Sequence, residues 1–182
     1  MLEKTPFQNI EQQEKLEKKM ELTIGDKFWS SLMQKLGAGK KEAIENFGLI
    51  KIIFNSNDPY LKKIKHSIIQ RENNDKNIKT IILGYYSLNE QIIKFNSSVE
   101  ELGDELIPCI IHELVHYAQD LLGRYPEMEQ AGVKTAIKKE ELPWEKEAYR
   151  IMHDPKIIEV FNSNCSLNDF EDWEEHKIGT YN

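Results

Sequence analysis

His112-Glu113-Leu114-Val115-His116 packs two imidazoles and a carboxylate into five consecutive residues. In an α-helix, side chains four positions apart lie one turn above each other, so His112 and His116 point the same way and can reach one ion. Glu113 sits beside that pair, placed to touch a water next to the metal without itself being a ligand. Imidazole nitrogens suit zinc, and a neighbouring carboxylate suits a general base acting on that water. The rest of the segment, Ile107, Ile110, Ile111, Leu114, Val115, Ala118, Leu121 and Leu122, forms a wide apolar surface. The histidines therefore belong to a helix whose back is core. The bland alternative is a pair of surface histidines with Glu113 in ordinary helix contacts. The strongly amphipathic helix, directly after an expected hairpin, counts against it.

A catalytic zinc needs a third protein ligand and one position left for water. Pro143-Trp144-Glu145-Lys146-Glu147-Ala148-Tyr149 offers two carboxylates. Pro143 opens a helix and sets Glu145 in its first turn. Residues two apart on a helix diverge by about 200°, so Glu145 and Glu147 cannot both face one ion. The alternative is that both merely complement the helix dipole. His153 is a further candidate ligand, although the glycine-containing spacing of a three-histidine site is missing after His116. Cys109, one turn before His112, is more simply a buried core thiol. His66 and His176 lie far from the motif and read as surface residues; Trp144, Phe170 and Trp173 read as packing.

Residues 78–152, with His112-Glu113-Leu114-Val115-His116 followed by Glu145-Lys146-Glu147-Ala148, resemble a gluzincin, a zincin metallopeptidase whose third ligand is a glutamate. Small minimal-domain members are similar in having a hairpin, the motif helix and then a Glu-x-Glu-Ala helix. The resemblance implies an α+β, zincin-like domain, a Zn2+ cofactor, and hydrolysis of peptide bonds in a protein or peptide substrate. It implies His112, His116 and Glu145 as metal ligands, Glu113 as general base, and Ala148 as the small residue that lets the two helices approach. The substrate would run along an edge strand of the hairpin. There is one departure. Tyr149 stands where many gluzincins carry an Asp or Asn that bonds a ligating histidine. Asp120, four residues after His116, is a candidate replacement. Tyr149, Tyr117 and His153 are candidate donors to a developing oxyanion. Two competing readings are a zincin-like metal-binding regulatory module without hydrolysis, and a helical interaction protein with a coincidental motif.

The elements that must position these residues follow an α+β order. Residues 8–37 read as a helical region in two pieces, broken near Thr23 to Gly25. The second piece sets Phe28, Trp29, Leu32 and Leu36 on one face and ends at Gly37-Ala38-Gly39. Leu49 to Phe54 reads as a strand, and residues 59–71 as a helix. Ile78 to Tyr86 and Gln91 to Phe95 read as an antiparallel hairpin around a turn at Ser87 to Glu90. The motif helix starts between Asp104 and Pro108, because Pro108 is tolerated only in a first turn, and stops at Gly123. A last helix runs from Pro143 to about Met152.

A chain of 182 residues suits one domain, here 1–182, with a metal-site core at about 78–152. A formal charge of -7 argues against extended nucleic-acid or anionic-membrane binding. No apolar run approaches the ~18 residues needed to span a bilayer. The polar start, Met1-Leu2-Glu3-Lys4-Thr5, lacks a signal-peptide core, so a cytoplasmic location is expected. Two cysteines, Cys109 and Cys165, make no disulfide framework; Cys165 reads as part of a polar loop.

Overall fold

The computed structural model describes residues 16–38, 48–61, 84–87, 90–124 and 142–170. Strand β1 (Lys18–Ile24) leads into helix α1 (Asp26–Lys35), and β2 is Leu49–Phe54. The pair β3 (Gly84–Ser87) and β4 (Ile92–Phe95) follows. A short helix α2 (Val99–Leu102) and a 3-10 turn (Gly103–Glu105) feed the motif helix α3 (Leu106–Leu121). Helices α4 (Pro143–Met152) and α5 (Pro155–Asn164) then lead into β5 (Cys165–Asp169). The five strands form one sheet in the order β3-β4-β2-β1-β5, so the molecule is mixed α and β as the element order implies. Only the β2–β4 pairing is parallel; the others are antiparallel.

Strand alternation decides which side of the sheet the helices cover. Leu22, Ile24, Ile50, Ile52, Phe54, Ile93 and Phe95 are buried at alternating positions. The registers Met20↔Ile52, Ile52↔Ile93 and Ile93↔Tyr86 carry one apolar row across four strands. Against this face lie Phe28, Trp29 and Leu32 of α1, Ile110, Ile111, Leu114, Val115 and Ala118 of α3, and Ile157 and Phe161 of α5. Phe28 meets Phe161 edge-on at 5.2 Å, and Tyr117 sits between Trp29 and Tyr86 at centroid distances of 5.6 and 5.1 Å. Such ring pairs add specificity to a core that apolar burial already stabilises.

Several expected elements appear as read. The strand at 49–54 and the helix at 143–152 have the expected bounds. The 84–87 and 92–95 strands pair antiparallel, with residues 78–83 outside the described residues. Residues 59–61 are helical, and the remainder of the 59–71 helix lies outside them. Pro108 is the third residue of α3, where no intrahelical N–H is needed. Gly123, at φ 64°, ends that helix in the left-handed conformation.

Two expectations are corrected. Residues 18–24 are a strand, not the first piece of a helix, because Met20, Leu22 and Ile24 alternate inward while Lys19, Glu21 and Thr23 face out. A period of two, not 3.6, governs that stretch. Cys165 begins strand β5 rather than lying in a loop, since β5 pairs with β1 along its free edge. At the corner between β1 and α1 only a glycine fits: a Cβ on Gly25 would lie 2.2 Å from the Asn164 carbonyl oxygen. Among the described residues no helix is long and apolar enough to cross a membrane.

Candidate metal centre

Helix α3 buries His112, Glu113 and His116 along with its apolar back, so the motif faces the protein interior beside α4. Helix α4 starts at Pro143, which supplies a preset φ and lacks the N–H that a first turn leaves unused. That start puts Glu145 in the first turn, where its side chain is buried. Ala148, Ile151 and Met152 of the same helix are also buried, and α4 packs along α3.

The two helices bring three ligand atoms together. His112 Nε2 lies 3.1 Å from His116 Nε2. Glu145 Oε2 lies 3.2 Å from His112 Nε2 and 3.5 Å from His116 Nε2. A tetrahedral ion with bonds of about 2.0–2.2 Å holds its ligand atoms about 3.3–3.5 Å apart. The observed edges of 3.1, 3.2 and 3.5 Å come within about 0.2 Å of that range. Two buried imidazoles and a carboxylate are therefore a donor set that fits a metal ion, and no other such grouping occurs among the described residues.

The electrostatics point the same way. Burial by itself pulls the His116 imidazole towards its neutral form. The bond to Glu145, the charges of Glu113 and Glu145, and the Gln119 contact outweigh it, and the net pKa is raised. A site that attracts a proton against desolvation attracts a divalent cation for the same reason.

Glu113 stands apart from the triangle. A Cβ on Gly84 would lie 3.2 Å from Glu113 Oε1 and 2.5 Å from the Phe95 ring. The carboxylate thus reaches the backbone of β3, the strand at the sheet edge beside the motif helix. Gly84 is the residue that permits this approach.

The remaining candidates are sorted by position. Glu147 is not one of the three grouped side chains, and its Oε2 accepts a hydrogen bond from Gln119 Nε2 at 2.9 Å. His153 caps the end of α4 and is exposed. Cys109 is half-buried, and burial pushes its thiol up to about 12, so it stays protonated. Tyr117 is enclosed by Trp29 and Tyr86. Tyr149 packs its ring on His112, with centroids 4.8 Å apart, and is otherwise exposed. Nδ1 of His112 is buried without a hydrogen-bond partner among the described residues.

Gln119, the neighbour of the candidate replacement Asp120, meets the His116 ring. His116 Nδ1 lies 2.9 Å from Oε1 of Gln119, whose Nε2 also donates to the Trp144 carbonyl at 3.2 Å. Burial raises the Asp120 pKa. Reading the sequence missed Gln119, yet a signal was present: His112, His116 and Gln119 stand at i, i+4 and i+7 on one helix face. Comparison with family models, curated proteins and solved structures gives no match to this chain.

Proposed function

We propose that this chain is a zinc-dependent peptidase of the gluzincin type, with His112, His116 and Glu145 holding zinc and Glu113 as general base. The observation that carries the reading is the triangle of His112 Nε2, His116 Nε2 and Glu145 Oε2, whose edges of 3.1, 3.2 and 3.5 Å suit a tetrahedral ion. Two imidazoles with one carboxylate favour zinc over the hard cations that prefer all-oxygen sites. When bound, zinc would polarise a substrate carbonyl and lower the pKa of its water to about 7.

The chain's own residues supply the rest. Glu113, buried next to the ligand pair and outside it, takes the proton from the attacking water and returns it to the departing amine. Its approach to Gly84 sets the base against an edge strand, where an extended peptide can add by backbone hydrogen bonds. Of the three candidate oxyanion donors, Tyr149 alone contacts a ligand ring while remaining exposed to an incoming substrate.

Metal analysis of the purified protein, paired with Glu113→Gln on a peptide mixture, tests this reading. The expected result is about one zinc per chain in both proteins, with hydrolysis reduced about 10²–10⁴-fold in the variant. Bound zinc without any cleavage by the unaltered protein would favour a metal-binding regulatory module. Absence of metal from both would favour a helical protein with a coincidental motif.

A further inference from the structure

The contacts of Gln119 determine where the hydrogen of the His116 ring must sit. Its Nε2 faces two acceptors, Glu147 Oε2 at 2.9 Å and the Trp144 carbonyl at 3.2 Å. A backbone carbonyl can only accept a hydrogen bond, and an ionised carboxylate is likewise an acceptor. The amide must therefore present its NH2 to both and turn its carbonyl oxygen to the imidazole. That oxygen, 2.9 Å from His116 Nδ1, can only accept, so Nδ1 is the nitrogen that carries hydrogen. In a neutral imidazole the lone pair then resides on Nε2. Nε2 is the atom that faces His112 and Glu145.

Geometry links the same amide to the third corner of the triangle. Trp144 and Glu147 flank Glu145 on α4, so Gln119 grips the ligand-bearing helix on either side of the ligand. Gln119 is 1% exposed, which removes competing water from these bonds. One side chain on α3 thus orients one ligand ring and ties down the turn that presents another ligand.

We propose that Gln119, oriented by Glu147 and the Trp144 carbonyl, is the positioning residue that fixes the tautomer and ring orientation of His116 for metal binding. It backs His116, whereas position 149 lies against the other imidazole, His112. The inference rests on the metal-centre reading of His112, His116 and Glu145. Partners of this kind behind a ligating histidine typically change metal affinity about 10–100-fold when removed.

Zinc affinity, measured by competition with a chromophoric chelator, tests it alongside thermal unfolding of the metal-free protein. Gln119→Leu should weaken zinc binding about 10–100-fold while leaving one site per chain. The exchange variant, Gln119→Glu combined with Glu147→Gln, swaps amide and carboxylate between the helices. It keeps an acceptor facing His116 Nδ1 and a hydrogen bond between positions 119 and 147 but gives up the donation to the Trp144 carbonyl, so affinity should recover a measurable part of what Gln119→Leu loses. A purely structural role would lower the unfolding midpoint of Gln119→Leu and leave its zinc affinity intact, which overturns the inference. An exchange variant that binds as weakly as Gln119→Leu overturns it too, and does so even if the leucine variant folds poorly. An unaltered protein that binds no zinc overturns the metal centre itself, a result distinct from either.

Discussion

A part-buried polar cluster and a buried one lie on opposite faces of the same sheet, and they are built differently. On the face away from the motif helix, Asp58 Oδ2 accepts from Tyr85 Oη at 2.8 Å and from Lys94 Nζ at 3.0 Å, while Oδ1 accepts from the Tyr60 amide at 2.8 Å. Lys94 also pairs with Glu90. Every strong donor there meets an acceptor, and the cation is a lysine that the chain itself supplies. On the helix face, two imidazole nitrogens and a carboxylate oxygen converge within 3.5 Å. The first cluster has a cation of its own between its carboxylates, and the second brings together the imidazole and carboxylate donor atoms that a metal ion takes. The contrast separates a structural cluster from a candidate site without reference to the motif.

The comparison breaks most sharply if the helix-face cluster holds metal without its histidines. Combined His112→Ala and His116→Ala should abolish stoichiometric zinc, because a single remaining ligand holds the ion poorly. One zinc per chain retained by that double variant on metal analysis would show that the convergence has another meaning.

A smaller but more discriminating effect concerns the third corner. Cobalt can replace zinc and report its coordination by visible absorption. The spectrum should collapse in Glu145→Ala and persist in Glu147→Ala and His153→Ala, with the Glu147 variant weaker in affinity through Gln119. A spectrum unchanged in Glu145→Ala but lost in either of the others would move the ligand there.

How these corners were legible differs in kind. The histidines and the bounds of α4 follow from local rules: i,i+4 spacing and a proline at a helix start. Glu145 over Glu147 required knowing which way α4 is rotated against α3, which helix period limits to one of the two but does not choose. Strand β1 was misread because Lys18, Lys19 and Glu21 surround only three inward residues, too short a run for alternation to stand out. Helix α5 and strand β5 were not read at all. The β5 sequence, Cys-Ser-Leu-Asn-Asp, is polar, and what makes it a strand is the open edge of β1 more than one hundred residues earlier. Gln119 is hard to single out for a different reason: an amide carries no charge, and the charged Asp120 stands beside it.

Protons sharpen the comparison further. The His116 pKa is raised in the folded protein, chiefly because its bond to Glu145 and nearby carboxylate charges overcome desolvation. Metal must displace that proton, so zinc affinity should fall as pH drops through the raised value, beginning above the ordinary histidine range. The slope should approach about tenfold per pH unit for each proton displaced. A chelator competition series between pH 8 and pH 5.5, in buffers of about 0.1 M ionic strength, checks it. An affinity independent of pH over that range would mean that no histidine proton is being displaced.

The smallest effect expected at the candidate metal centre comes from the opposite face, and for that reason it tests the division itself. Lys94→Met removes the cation between Asp58 and Glu90 and leaves Asp58 held by Tyr85 and the Tyr60 amide alone. Burial by itself pushes Asp58 up, but hydrogen bonds from Lys94 and Tyr85 outweigh it and the folded pKa lies below 3.8. A depressed carboxylate contributes stability that is fully present above its unfolded value and is lost as pH falls through the folded one. The variant should therefore be destabilised at neutral pH by about 1–2 kcal/mol, less than for a fully buried pair because Asp58 and Glu90 keep partial solvent contact. The difference from the unaltered protein should narrow below pH 4, as Asp58 becomes protonated in both. Urea unfolding across that range reads the stability, and chelator competition at pH 7 reads the metal. Zinc affinity should stay within about twofold, since Lys94 and Tyr85 alternate with the residues that face α3 and are separated from the triangle by the sheet. A Lys94→Met protein that remains as stable as the original, yet loses zinc, would make the two clusters one coupled unit.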